Sequence, residues 1–136
     1  MNAKELHDFY FNDLQWCGCG NPEDALKFVG QVLEKIDQRS NDNAAERTER
    51  LRTGAPALPH DKSAWAKRSD ELIETLLGGP SSMLGLIMMY TLDAHELIEH
   101  GGNIMGSWLT PKGEEVLAAI KKHGDGDWFN AQENAE

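Results

Sequence analysis

Cysteine is scarce in this chain. Only Cys17 and Cys19 occur among 136 residues, too few for a disulfide framework, and the first residues, MNAKELHDFYFNDLQ, carry charges where a secretion signal needs an apolar core. Both features suggest a reducing compartment. Long apolar runs are also missing. The longest, Met83 to Leu92, falls well short of the roughly 20 residues that span a bilayer. The expectation is a soluble cytoplasmic protein with no membrane partner. Positive charge is in deficit, with 13 Lys and Arg against 23 Asp and Glu, a net −10 and a pI near 4.9. No Lys or Arg lies between Asp70 and Pro111. A general nucleic-acid binder is therefore disfavoured, because neutralising phosphates takes cations.

Motifs for chemistry are equally thin. Gly78-Gly79-Pro80-Ser81-Ser82 lacks the GK[ST] ending of a phosphate loop, and no G-x-S-x-G elbow occurs. Cys17 and Cys19 form C-x-C rather than the C-x-x-C of zinc knuckles, so packing at a tight corner is the simpler reading. His95 and His100 miss both zincin spacings by one residue. At i+4 two side chains lie about 40° apart round a helix, but at i+5 about 140°. Glu71 with Glu74, and Glu114 with Glu115, read as solvated helix faces. No metal, no cofactor and no enzymatic activity are expected.

What is present is helical periodicity. Residues 3–15 place Leu6, Phe9, Tyr10 and Leu14 on one side. Asn21 caps a second helix and Pro22 starts it. Leu26, Val29, Leu33 and Ile36 then recur at helical spacing. Ser40 to Asn43 read as a turn, Ala44 to Arg52 as a polar helix or a frayed extension, and Thr53 to Lys62 as a loop. A third helix is expected from about Ser63 to Leu77. A fourth, Met83 to about Glu96, is apolar nearly all round and so central and buried. Charge is uneven along this plan: net −4 over residues 1–43, +3 over 44–68 and −9 over 69–136. The basic stretch holds Arg47, Arg50, Arg52, Lys62, Lys67 and Arg68.

The richest segment runs from Leu97 to Ile120. Leu97 to Glu99 form one strand arm, His100 to Gly106 a glycine-rich reversal, and Ser107 to Leu109 the return arm. Thr110 is a good N-cap, Pro111 suits the first helical position, and Val116, Leu117 and Ile120 give the last helix its face. Gly124 ends it. The run Trp108-Leu109-Thr110-Pro111-Lys112-Gly113-Glu114-Glu115-Val116-Leu117 resembles the end of the wing and the final helix of winged helix-turn-helix regulators, MarR- and PadR-like ones among them. That resemblance implies that the preceding helix reads DNA, yet Met83 to Leu92 contains no Lys or Arg. The runs Trp16-Cys17-Gly18-Cys19-Gly20-Asn21-Pro22-Glu23, Glu99-His100-Gly101-Gly102 and Gly106-Ser107-Trp108-Leu109-Thr110 are similar to those of small bacteriophage and prophage proteins. That likeness implies a bacterial host cell and an accessory role.

The fold expected is mainly α: about five helices, with a two-stranded wing-like hairpin before the last. It comprises a single domain over 1–124, with a loop at 40–62, and an acidic flexible tail at 125–136. The function expected is non-enzymatic binding of a basic protein partner, such as a nucleic-acid-binding surface of a host protein. Glu96, Glu99, His100, Asn103, Glu114, Glu115, Trp128 and Phe129 are the candidate contacts. Trp128 and Phe129 either pack back on the domain or form a docking motif. The alternative is a winged-helix DNA-binding regulator, with a homodimer compatible with either.

Overall fold

A computed structural model describes residues 1–14, 21–54, 76–77, 83–101, 104–126 and 128–129. Among them are four α-helices and one antiparallel hairpin. The first helix, α1 (Ala3–Asp8), opens on a capping box. Asn2 Oδ1 accepts the Glu5 N–H at 2.8 Å, and the Asn2 N–H donates to Glu5 Oε1 at 3.2 Å. It passes into a π-helical stretch, Phe9–Leu14. The expected helix over 3–15 therefore exists, but its second half is wound more loosely. That stretch still buries Phe9, Tyr10 and Leu14.

Helix α2 (Pro22–Thr53) starts as its sequence demands. Asn21 Oδ1 accepts the Glu23 N–H at 2.8 Å, and Pro22 stands at the first position. Leu26, Val29, Val32, Leu33 and Ile36 are fully buried. The expected turn at 40–43 does not form. The helix runs on to Thr53 and stops at Gly54, whose φ of 71° suits glycine. Its 32 residues reach about 48 Å. Beyond Arg39 none of its residues is fully buried, and local interactions contribute to this half. Glu46 pairs with Arg50 and Glu49 with Arg52, and the Thr48 and Thr53 hydroxyls donate to carbonyls four residues back. Ser and Asn favour turns only when no such ladder competes.

Helix α3 (Met83–Ala94) departs from expectation in a second way. Met88, Met89 and Leu92 are buried, but Met83, Ile87 and Tyr90 are 68%, 43% and 57% exposed. These three share one helical face. The helix is thus half central and half open. It ends in a Schellman motif: the Leu97 N–H bonds the Leu92 carbonyl and the Glu96 N–H the Asp93 carbonyl, both at 3.0 Å. Glu96 takes the left-handed position, with φ 61°.

Strands β1 (Ile98–Glu99) and β2 (Trp108–Leu109) pair antiparallel, with Ile98 opposite Leu109 and Glu99 opposite Trp108. Ile98 and Leu109 face the core, while Glu99 and Trp108 face out. A short 3-10 turn, Ile104–Gly106, precedes β2. Helix α4 (Pro111–His123) follows, capped by Thr110 and ending at Gly124. It packs on α1 and α2, while α3 packs on β1 and on the 3-10 turn. At the α2–α4 contact a Cβ on Gly30 would sit 2.8 Å from Ile120 Cγ2. The expected third helix at 63–77 lies outside the described residues apart from Leu76 and Leu77, and Leu77 is buried.

Of the two readings for Trp128, packing back on the domain is the one observed. Trp128 is fully buried, edge-on to Tyr10 at 5.4 Å between ring centroids and stacked on Phe11 at 6.0 Å. The π-helical stretch presents both rings to it, and burying an indole outweighs the ordering of a few polar residues.

Two outcomes test this packing. Leu92→Ala should cost about 2–5 kcal/mol in chemical denaturation and Ile87→Ala under about 1 kcal/mol; equal losses would contradict the half-open helix. Gly113→Ala should destabilise by about 3 kcal/mol or more, although helix propensity alone favours alanine by about 1 kcal/mol. The cause is the Leu97 carbonyl oxygen, which occupies the space a Gly113 Cβ would need.

Candidate functional site

Three chain segments meet at the base of the hairpin. The Thr110 hydroxyl accepts the Gly113 N–H at 2.9 Å and donates to the Glu96 carbonyl at 2.5 Å. The Thr110 N–H donates to the Leu97 carbonyl at 3.0 Å. This clasp fixes the end of α3, the hairpin and the start of α4 relative to one another. Glu96 and Glu99 are exposed on it. Glu99 is held by its partner strand, for its Oε2 accepts the Trp108 indole N–H at 3.2 Å. Glu96 stands in a backbone conformation that favours glycine, at a cost of about 1–2 kcal/mol.

The other sequence-predicted residues are dispersed. His100 is half-buried, its Nε2 3.5 Å from Asp93 Oδ2 and its Nδ1 2.7 Å from the Gly101 carbonyl oxygen. His95 faces the start of the π-helical stretch instead, 6.4 Å from the Phe9 ring centroid, so the two imidazoles diverge. Glu115 pairs with the Met1 ammonium at 3.4 Å, and Glu114 is exposed one residue before it. Neither is linked by a hydrogen bond or ion pair to Glu96 or Glu99 among the described residues. Phe129 stays part-exposed beside Phe11. Buried Trp128 offers no surface to a partner, which removes it from the candidate contacts. Asn103, Cys17, Cys19, Lys62, Lys67 and Arg68 lie outside the described residues. Among those described, no cluster of three His, Cys, Asp or Glu is placed to hold a metal ion. No helix among them is long and apolar enough to cross a membrane.

Two features escaped the sequence reading. One is the open face of α3, Met83, Ile87 and Tyr90, bordered by Asp93 and, past the helix end, by Glu96. The other is Arg39. It is 4% exposed, with no carboxylate beside it among the described residues. Its Nη2 donates to the Ser107 carbonyl at 2.8 Å and reaches Ser107 Oγ at 3.4 Å. Nε and Nη1 are buried with no hydrogen-bond partner. Burial lowers its pKa to about 10. The signal was legible, since Arg39 continues the buried stripe of Val32 and Ile36 at helical spacing.

Because α2 continues, its next two turns run beside the hairpin. Ser40, Asn43, Ala44 and Arg47 form one wall of a pocket of about 360 Å³, and Gly106, Ser107 and Trp108 form the other. The basic segment therefore meets the hairpin at Arg47. Arg50 and Arg52 are engaged by Glu46 and Glu49.

The chain matches no protein-family model, no curated protein and no solved structure.

A buried cation without a counter-charge is costly, and replacing it by an apolar side chain of similar length relieves that cost. Arg39→Met should leave stability unchanged or raise it by up to about 2 kcal/mol in urea denaturation. A loss above about 1 kcal/mol would mean that the hydrogen bond to the Ser107 carbonyl outweighs the desolvation of the guanidinium.

Proposed function

We propose that the protein is a non-enzymatic interaction module, a small phage-type accessory protein that binds a protein partner with a basic, partly apolar surface. The observation that carries this is the exposed face of α3. In a winged-helix reader that position calls for polar and basic side chains. Here it presents Met83, Ile87 and Tyr90, with Asp93 and Glu96 at the edge. Exposed apolar area that includes an aromatic and has charges at its rim suits a protein contact. The acidic rim selects a basic partner and speeds encounter. A second copy is a poorer match, because it would bring like charges together in a chain of net −10.

The second reading is a winged-helix DNA-binding regulator. One observation favours it: Arg47 stands beside Trp108 on the hairpin. Against it, β1 and β2 carry no cation, and Arg50 and Arg52 are already ion-paired.

Affinity capture from nuclease-treated host lysate should recover a basic protein. Ile87→Asp and Tyr90→Asp should each abolish its binding while leaving a cooperative thermal transition, lowered by no more than several degrees. Charge reversal at Glu96 and Glu99 should act mainly by slowing association, and more strongly at low salt. Duplex DNA should show no measurable binding at physiological salt. Sequence-selective DNA binding under those conditions, lost on Arg47→Ala, would replace this reading with the regulator.

A further inference from the structure

The pocket between α2 and the hairpin differs in character from the rest of this acidic surface. Its walls bring a guanidinium, Arg47, an amide, Asn43, and two hydroxyls, Ser40 and Ser107, against the indole of Trp108. These residues lie on two elements and are 60 or more positions apart in sequence, because Ser40 to Arg47 belong to α2 and Ser107 and Trp108 to the hairpin. Behind Ser107 lies Arg39, nine-tenths buried and with two of its three nitrogens unpartnered. Nη2 of Arg39 reaches Ser107 Oγ. A hydroxyl that accepts from a guanidinium keeps its own proton for a further acceptor. Ser107 can thus pass the polarisation of a buried cation into the pocket, although Ser107 itself is 3% exposed and meets the pocket only through its surface.

We propose that this pocket binds a small aromatic monophosphate of the nucleoside monophosphate class, with the phosphate at Arg47 and Ser107 and the ring on Trp108. Each part of the site supplies one part of that ligand. A phosphate takes charge-assisted hydrogen bonds from Arg47 and a further bond from the Ser107 hydroxyl. A flat base stacks on the exposed indole face. Asn43 lines the same wall as Arg47. The volume lies at the small end of the roughly 300–1,000 Å³ range of ligand sites, enough for one ring and one anion and too small for a duplex. Glu99, bonded to the Trp108 N–H, sets the polarity of the site: it repels the anion from the indole end and directs it toward Arg47. The inference is independent of the protein contact at α3, since it uses none of Met83, Ile87 or Tyr90.

The test is NMR titration of the full chain, following the Trp108 indole N–H and the Arg39 Nε–H. The probes are uridine monophosphate, uridine, inorganic phosphate and a short DNA duplex. Uridine monophosphate should move both signals, and inorganic phosphate should move them about tenfold less tightly, the difference being one base–aromatic stack. Uridine should bind more weakly than either. Arg47→Ala, an exposed helix position that folding does not need, should weaken the nucleotide by about tenfold or more. Trp108→Ala should reduce it to the level of phosphate, and Trp108→Phe should restore part of the difference. Ser107→Ala should weaken the nucleotide and phosphate alike. Absence of any shift up to about 10 mM nucleotide, weaker than ligand sites of this kind, would overturn the proposal. So would an affinity unchanged by Arg47→Ala, or a duplex that moves both signals at lower concentration than the nucleotide does.

Discussion

The Thr110 hydroxyl uses both its donor and its acceptor capacity, and the hairpin half of the molecule turns on that. By accepting the Gly113 N–H it caps α4; by donating to the Glu96 carbonyl it ties down the end of α3. Between those two points lies the whole hairpin. With its ends pinned so closely, two residue pairs suffice to keep the strands in register, where an isolated hairpin of that length would not persist in water. Gly113 completes the arrangement, because only a residue without a Cβ lets the first turn of α4 come up against the Leu97 carbonyl. Glu96 bears the conformational cost of the junction in its left-handed backbone.

From that clasp the surfaces follow. The Schellman end of α3 directs Leu97 inward and leaves Glu96 at the edge of the exposed Met83, Ile87 and Tyr90 face. On the other side, the return strand places Ser107 over Arg39 and Trp108 beside α2. One short hairpin thereby separates two surfaces of opposite character. The α3 side is apolar with an acidic edge. The α2 side is lined by polar groups and carries the field of two guanidinium groups. In a chain of net −10 a local positive field of that kind is the exception, and the interior position of Arg39 shields it from the surrounding carboxylates and from salt.

Much of the fold was legible because its signals are local. Asn21 with Pro22 and Thr110 with Pro111 start helices for reasons confined to a single turn. The glycine-rich reversal after Glu99 and the alternation of Ile98 and Leu109 against Glu99 and Trp108 mark the hairpin. The 26–36 stripe fixes which face of α2 is buried. Less legible were the places where two local tendencies compete. Ser40 to Asn43 read as a turn by propensity, yet the helix continues through them beside the hairpin, with the ion pairs Glu46–Arg50 and Glu49–Arg52 supporting its next turns. Phe9–Leu14 kept its apolar side while changing its winding. Trp128 gave no sign in the acidic tail of the aromatic neighbours it would find.

The candidate site divides in the same way. By itself the sequence determined the helical class, the hairpin and its capped successor, and the acidic balance with its one basic stretch, because caps, periodicity and charge are properties of neighbouring residues. Tertiary structure alone decided that α3 keeps one apolar face open, that Trp128 belongs to the core, and that Arg39, Arg47, Ser107 and Trp108 meet. Those outcomes depend on which surfaces are left uncovered once α2, α4 and the hairpin have packed. Such geometry rests on contacts between residues far apart in the chain, and no local pattern encodes it.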